Sequence, residues 1–289
     1  MTKEVDVVIV TFGGGAFLAD CIAAVRRQGS AVGRVIVIDN ASPDDTADVA
    51  EAIGGVEVVR NGTNAGYAAA MNQAFVMTSG EFLLSLNADC VLEDGYVERC
   101  MSCLRTDDTV AAVTGVLRLE DGRIDSTGVV MSEAGRAADR DRHEQRPTAP
   151  SVEPFGVSGA AALWRRSALA SLGDKPWWEW LFVYWDDVEI SWRLRRAGWT
   201  FRCAHDAGAT HRRGSDSADA DFIESQSLRN RLATIARHRG WTGLLAPSSV
   251  ALTAVTMVRL AVRHPKALWR AKPARAVAVG LTERARDTA

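Results

Sequence analysis

Five cysteines in 289 residues are an odd number and widely scattered, so the chain offers no disulfide framework. Cys100 and Cys103 have the spacing of a redox or metal pair. They lie in a helical pattern with no second pair, and buried packing is the expectation. A signal-peptide core is also missing, because Met1-Thr2-Lys3-Glu4-Val5-Asp6 leads directly into a strand. Both absences point to a reducing, cytoplasmic setting. Long uninterrupted apolar runs are absent too. Residues 241–262 have about the length of a membrane span, but Pro247, Ser248, Ser249 and Arg259 break the run. Net charge is only −2, and no nucleic-acid partner is expected.

What is present is globular: 47% hydrophobic and 24% charged residues, in a chain long enough for one large α/β domain and an appendage. The small net charge conceals an asymmetry. From Gln226 to the end there are twelve Lys/Arg and two Asp/Glu, leaving twenty-two basic and thirty-four acidic residues before it. The division expected is 1–221 for the main domain and 222–289 for a basic helical extension. His264-Pro265-Lys266-Ala267-Leu268-Trp269-Arg270 adds cations and a Trp to the apolar stretch. That composition predicts a peripheral contact with an anionic membrane surface, or helical packing on the main domain.

The main domain is organised around Glu81-Phe82-Leu83-Leu84-Ser85-Leu86-Asn87-Ala88-Asp89. This apolar run reads as a buried parallel strand that ends in two hard-oxygen side chains. The carboxyl ends of strands are where open α/β sheets bind ligands. Asn-x-Asp puts both side chains on one side of an extended chain, where Asp89 can hold a divalent cation. The structural alternative is an Asp that turns the chain or caps a helix beginning near Asp94.

Three strand–helix repeats precede this strand. Val5–Val10, Val35–Ile38 and Val56–Val59 read as strands, and the segments after them as crossover helices, which predicts a doubly wound sheet. Gly13-x-Gly15 after the first strand, with Asp39 ending the second, imitates a dinucleotide fingerprint. Leu18 stands where its third glycine belongs, and no Gly-Lys-Ser/Thr follows. Asp44 or Asp45 serves as the second helix's N-cap, which leaves Asp39 at its strand tip without a structural task. Asn72, in a small apolar helix, is either a ligand contact or a buried amide satisfied by backbone.

Further along, Val110–Leu117 reads as a strand and Asp121-Gly122 as a hairpin turn. Residues 133–151 read as a mobile loop with a solvated His143. Glu153–Leu163 reads as a strand whose small residues allow close approach. Trp177, Trp178, Trp180 and Trp185 are either core or a sugar-stacking wall. Asp186 and Asp187 open a helix that stops at Gly198; either one caps it while the other projects into the cleft, or both serve the cap and dipole. His211, alone in a polar loop (Ala209–Ser215), reads as solvated.

Together these stretches resemble family 2 glycosyltransferases of the GT-A fold, especially the rhamnosyltransferase-like and galactofuranosyltransferase-like members. The resemblance spans about residues 5–215. It is carried by Val10-Thr11-Phe12, Asp39-Asn40-Ala41-Ser42, Asn64-Ala65-Gly66-Tyr67 with Asn72, Leu86-Asn87-Ala88-Asp89, Ser158-Gly159-Ala160 and Trp185-Asp186-Asp187. It implies a GT-A, Rossmann-like doubly wound sheet. Thr11, Phe12 and Asp39 would lie at the nucleotide base, and Asn64, Gly66, Asn72 and Asn87 near the nucleotide. Asp89 would bind Mg²⁺ or Mn²⁺, with His211 matching a late metal-ligand His of some members and Asp187 the family's base. Two departures stand out: Gly13-Gly14-Gly15 replaces the usual Tyr/Phe-Asn, and Asn87 replaces an Asp.

The function implied is inverting, metal-dependent transfer of a sugar from a nucleotide diphosphate sugar, dTDP-rhamnose or a UDP-sugar, to a saccharide or lipid-linked acceptor. A cytoplasmic enzyme, peripheral on the inner face of the cell membrane, is expected. A helix N-terminus would keep Asp187 ionised, so burial beside Trp185 must act to strengthen it as a base. The alternatives are a non-catalytic nucleotide-sugar or glycan-binding protein and an NAD-dependent dehydrogenase.

Overall fold

The computed structural model describes residues 4–213 and 219–288. Met1–Lys3 at the entry to the first strand, and Gly214 and Ser215 at the end of the His211 segment, lie outside the described residues. The chain divides into two compact units: 1–130, 139–182 and 186–217 form the first, and 131–138, 183–185 and 218–289 the second.

The first unit begins with a repeating alternation: β1 (Val5–Thr11), α1 (Gly15–Arg26), β2 (Val32–Asp39), α2 (Thr46–Ile53), β3 (Glu57–Arg60), α3 (Tyr67–Met77) and β4 (Phe82–Asn87). Then come β5 (Cys90–Leu92), α4 (Tyr96–Arg105), β6 (Val110–Arg118) and β7 (Ile124–Ser126), followed by β8 (Val129–Met131) and β9 (Ala137–Asp139), whose residues 131 and 137–138 belong to the second unit. The order closes with β10 (Ala161–Arg165), α5 (Arg166–Ala170), α6 (Asp186–Arg196) and β11 (Thr200–His211).

Nine strands form one sheet in the order β3-β2-β1-β4-β10-β6-β11-β5, with β7 paired to β6. β3, β2, β1 and β4 run parallel, as the right-handed strand–helix–strand alternation requires. Their central strands are covered on both faces, hence the continuous Val/Ile/Leu runs. One core contains Leu18, Ile22, Ala50 and Leu104, from α1, α2 and α4. The other contains Met71, Phe75, Leu169, Ile190 and Leu194, from α3, α5 and α6. The expected doubly wound α/β sheet is therefore present.

Of its antiparallel pairings, the one in the middle of the sheet positions the site. β10 lies antiparallel between β4 and β6, pairing Ala161 with Leu86 and Leu163 with Val113. An antiparallel neighbour starts where β4 stops, so residues 158–160 arrive beside Asn87. The pairing is closed by the Asn87 N–H on the Ala160 carbonyl at 2.9 Å. Buried Trp164 adds a side-chain bond across the two strands, its Nε1 donating to Ser85 Oγ at 3.0 Å.

Two sequence expectations are corrected. Residues 153–160 are mostly not strand: apart from a bridge from Gly156 to Val129, they form a loop, and the regular strand starts only at Ala161. The close approach expected of their small residues is real, because a Cβ on Gly156 would lie 2.2 Å from Ser191 Oγ of α6. Nor is 133–151 wholly a loop. Ala137–Asp139 is a strand, and Arg140 is buried with its guanidinium on the Thr127 and Val152 carbonyls. A guanidinium with its donors taken by backbone oxygens orders the segment around it. His143 is exposed, as expected.

In the second unit α7 (Ala220–Leu245), α8 (Pro247–Arg263), α9 (Pro265–Ala271) and α10 (Pro273–Asp287) follow one another. Gly240, at φ 60°, breaks α7 near its end. α7 and α10 pack closely: a Cβ on Gly280 would stand 2.2 Å from the Ala233 carbonyl. Arg237 grips Asp287 by two 2.8 Å bonds. Each of the last three helices carries Pro in its first turn, where no N–H is needed.

Candidate active site

The carboxyl ends of β1, β2 and β4 and the start of β10 lie along one edge of the sheet. Thr11 pairs with Asp39, and Val10 with Asn87. Thr11 is buried and its hydroxyl bonds the Gly13 carbonyl, while Phe12 is 43% exposed at the edge. Asp39 is buried with its carboxylate accepting the Ser42 N–H at 3.3 Å, so it does have a structural contact at the strand tip. Gly13 and Gly14 take φ of 80° and 89°, a turn that other residues rarely adopt. The Gly13 N–H donates to Ser42 Oγ at 2.7 Å and the Gly15 N–H to Thr46 Oγ1 at 3.1 Å. Amides engaged in this way do not form the open phosphate cradle of a dinucleotide fingerprint.

Asn64 sits in a loop that its own amide organises. Its Oδ1 accepts from Asn40 Nδ2 and from the Gly66 N–H, both at 2.9 Å. Gly66 has φ 89°, and a Cβ there would lie 2.5 Å from the Phe182 ring. Asn72 is 3% exposed, and its side-chain bonds run to the Trp-bearing segment. Its Nδ2 donates to the Trp177 carbonyl at 2.8 Å and to Glu179 at 3.1 Å, and its Oδ1 accepts the Trp177 N–H at 2.9 Å. Of the two readings of Asn72, the geometry shows the satisfied buried amide. It pins Trp177, which is buried core, whereas Trp178 and Trp180 stack on each other at 5.5 Å.

Past Asn87 the chain turns through Ala88 and Asp89 into β5, which pairs antiparallel with the end of β11, setting His211 opposite Cys90. This register brings His211 Nε2 to 3.4 Å from Asp89 Oδ1. His211 is therefore not a solvated loop residue: it ends a strand and is 6% exposed. On its other side Nδ1 lies 2.7 Å from Asp125 Oδ2, and Asp125 Oδ1 accepts Arg213 Nε at 2.7 Å. Arg213 continues to Asp139 at 2.9 Å. Burial pushes the imidazole down in pKa, but the Asp125 and Asp89 carboxylates outweigh it and raise it to about 9. Burial likewise pushes Asp125 up, and His211 and Arg213 reverse that to hold it below the usual carboxylate range.

Asp89 and His211 suit a divalent cation. The Nδ1 contact with Asp125 turns Nε2 toward Asp89, the arrangement that orients metal-bound histidines. Among the described residues no group of three or more His, Cys, Asp or Glu forms a metal centre. Two protein ligands suffice for a hard cation whose remaining positions are taken by substrate phosphates and water.

Asp187 lies in the first turn of α6, against the chain that leads into β10. Its Oδ2 accepts the Gly159 N–H at 3.2 Å and its Oδ1 the Val188 N–H at 2.8 Å. Gly159 leads to Ala160, whose carbonyl bonds Asn87, so the two acidic stretches meet at one edge through adjacent backbone. Burial raises Asp187 to about 6, with the Gly159 and Val188 N–H groups opposing and the Asp139 carboxylate adding to the rise. Phe182, Tyr184 and Trp185, just before it, all have positive φ, a strained approach of the kind concentrated at functional sites.

Asp125 and Arg213 escaped the sequence reading. The available signal was an Asp inside a short buried strand, Ile124-Asp125-Ser126, after the Asp121-Gly122 hairpin. Nothing local connects it to a histidine 86 positions later.

A doubly wound sheet with β10 inserted antiparallel at its centre and acids gathered at its strand ends has the architecture of a GT-A glycosyltransferase. The chain belongs to glycosyl transferase family 2, whose family model matches residues 6–173, and it is a glycosyltransferase. It is 24% identical over 300 residues to the N-acetylglucosaminyl-diphospho-decaprenol L-rhamnosyltransferase of Mycobacterium tuberculosis, covering 92% of this chain and 96% of the relative. It is 22% identical over 102 residues to the glycosyltransferase GlyG of Streptococcus pneumoniae, covering 34% of each. Among solved structures it matches GalNAc-T7 with UDP, GalNAc and Mn²⁺ at a TM-score of 0.65 and 16% identity, over 81% of this chain and 48% of that one. The mannosyltransferase PcManGT of Pyrobaculum calidifontis, with GDP-Man and Mn²⁺, matches at 0.61 and 16% identity, over 100% of this chain and 89% of that one. These two likenesses establish the fold.

Proposed function

We propose that the protein is an inverting, metal-dependent transferase that moves a sugar from a nucleotide diphosphate sugar, dTDP-rhamnose or a UDP-sugar, to a saccharide or lipid-linked acceptor. The observation that carries this is the Asp187 carboxylate, held by Gly159 at the edge where β4 delivers Asn87 and Asp89. The rhamnosyltransferase name of the mycobacterial relative supports the donor and the lipid-linked acceptor. The Mn²⁺ named with both solved neighbours supports a divalent cation.

Asp89 and His211 would hold Mg²⁺ or Mn²⁺, which when bound supplies Lewis-acid neutralisation of the diphosphate leaving group. Asp125 keeps the His211 ring turned toward Asp89. Thr11, Phe12 and Asp39 line the edge where the nucleotide base would lie. Asp187 takes the acceptor hydroxyl's proton as the oxygen attacks the anomeric carbon and the diphosphate leaves from the opposite face. A carboxylate with a pKa near 6 is still ionised at neutral pH, and is a stronger base than an ordinary Asp. One base and no protein nucleophile give a single displacement, hence inversion. On this reading the enzyme works in the cytoplasm, at the inner face of the cell membrane, where a lipid-linked acceptor is found.

The test is a screen of nucleotide sugars for hydrolysis and thermal stabilisation with Mn²⁺ or Mg²⁺, followed by Asp89→Ala. Cation-dependent nucleotide binding should vanish in the variant; undiminished Mn²⁺ dependence removes the metal site. A binding protein without catalysis would bind a donor and never turn over.

A further inference from the structure

The second unit contains a helix that exposes an apolar stripe. At about 100° per residue, Ala251, Ala254, Val255, Val258 and Val262 of α8 fall within an arc of roughly 100°. All five are exposed, Val255 by 67%, Val258 by 65% and Val262 by 78%. The opposite side carries Ser249, which is 2% exposed, and half-buried Thr253. Both hydroxyls meet the buried Arg231 guanidinium, Thr253 Oγ1 at 2.8 Å and Ser249 Oγ at 3.4 Å. Arg231 also donates to the Gly135 and Ala134 carbonyls. The packed side thus combines these hydroxyls with fully buried Leu260, and the valines are left facing outward. The outward side of a water-facing helix is ordinarily polar.

Two tryptophans bracket the stripe in sequence, Trp241 at 58% and Trp269 at 77% exposure. Cations accompany it: Arg259 and Arg263 follow each other along one flank of α8, and Lys266, Arg270 and Lys272 come after it, all exposed. Arg259 is paired with Glu224 and Arg270 with Asp219, but from Gln226 onward twelve Lys/Arg stand against two Asp/Glu. Aliphatic side chains, tryptophans at the margins and an excess of positive charge are together what an anionic bilayer surface binds. No single helix among the described residues is long and apolar enough to cross a membrane; α7 and α8 reach that length and composition only as a pair bent by 103°, and the exposed valines with cations on their flank suit α8 to the plane of the interface.

We propose that the Val255–Val258–Val262 face of α8 lies in the headgroup and acyl boundary of an anionic lipid bilayer, held there by the flanking cations. The proposal names the surface behind the membrane setting given above. Its test uses vesicles without donor or acceptor, so its failure and that of the transferase assignment are separable.

The full chain is sedimented with phosphatidylcholine vesicles, with and without phosphatidylglycerol. Binding to the anionic vesicles is expected, with a marked loss on the neutral ones. Val258→Glu with Val262→Glu, both at exposed positions, should lower partitioning by more than about tenfold. Arg263→Gln with Lys266→Gln, which leaves the apolar stripe intact, should lower it by about fivefold per charge. Failure of the wild type to pellet with anionic vesicles overturns the proposal, as does equal pelleting of the wild type and both variants. A dimer in light scattering that the valine variant breaks, with no vesicle binding, would instead assign the face to a second copy of the chain.

Discussion

Replacing Asp187 by Asn separates the base from the fold because the two predicted effects have opposite signs. Burial raises this carboxyl from an ordinary 3.8 to about 6, so keeping it ionised in the folded protein costs about 3 kcal/mol. Asn removes that cost. It also removes one acceptor, leaving the Gly159 or Val188 N–H without its partner at a loss of about 1 kcal/mol. The net expectation near pH 7.5 is a variant more stable by about 2 kcal/mol, a rise of roughly 4–8 °C in Tm for a protein of this size. A folded-state pKa above the unfolded value means stability fully present below about pH 4 and lost as pH rises through about 6. The substituted amide cannot titrate, so the gain should disappear in acid, where the variant is level or slightly weaker. Activity should fall by a factor of about 10²–10⁴. In the wild type, turnover should drop about tenfold per pH unit below about 6. Thermal unfolding across pH, with single-turnover transfer assays, reads both effects. Turnover within about tenfold of wild type, or a variant less stable at every pH, refutes the reasoning.

Asp125→Asn keeps the shape of a fully buried side chain but weakens its hold on His211 Nδ1. Calorimetric Mn²⁺ affinity should fall by about 10–100-fold, with some loss of Tm as the Arg213 pair weakens, and unchanged affinity would remove Asp125 from the site. Asn72→Ala strips three bonds from the Trp177–Glu179 segment and leaves buried Trp177 backbone groups unpaired. A loss of about 2–4 kcal/mol in chemical denaturation is expected, and a loss under about 0.5 kcal/mol would show that the amide clamps nothing. Gly66→Ala forces a Cβ to 2.5 Å from the Phe182 ring at φ 89°. It should cost more than about 2 kcal/mol, whereas Gly159→Ala, whose Cβ meets nothing closer than 3.6 Å, should fold normally; equal stability of the two would contradict the packing.

Much is legible in the sequence because it depends on local pattern. The apolar β-branched runs of β1, β2 and β4 alternate with helices and specify parallel strands, since only strands covered on both faces tolerate them. Polar residues that interrupt such runs at their carboxyl ends, Asp39, Asn87 and Asp89, fall where open sheets take ligands. Asp187 was visible as an acid beginning a helix. The expectations for 153–160 and 133–151 were less successful, because Gly, Ser and Ala carry little conformational preference and Arg140 is ordered by carbonyls remote in sequence.

Partnership was decided by the tertiary structure alone. Antiparallel insertion of β10 sets Gly159 between Asp187 and Asn87, and pairing of β5 with β11 brings His211 to Asp89. Asp125 joins them from a strand 86 residues away. Composition also could not show that α8 turns its valines outward, since the buried Arg231 guanidinium, reachable only after folding, takes the polar side of that helix. Periodicity specifies which face of an element differs from the other, and packing decides what each face meets.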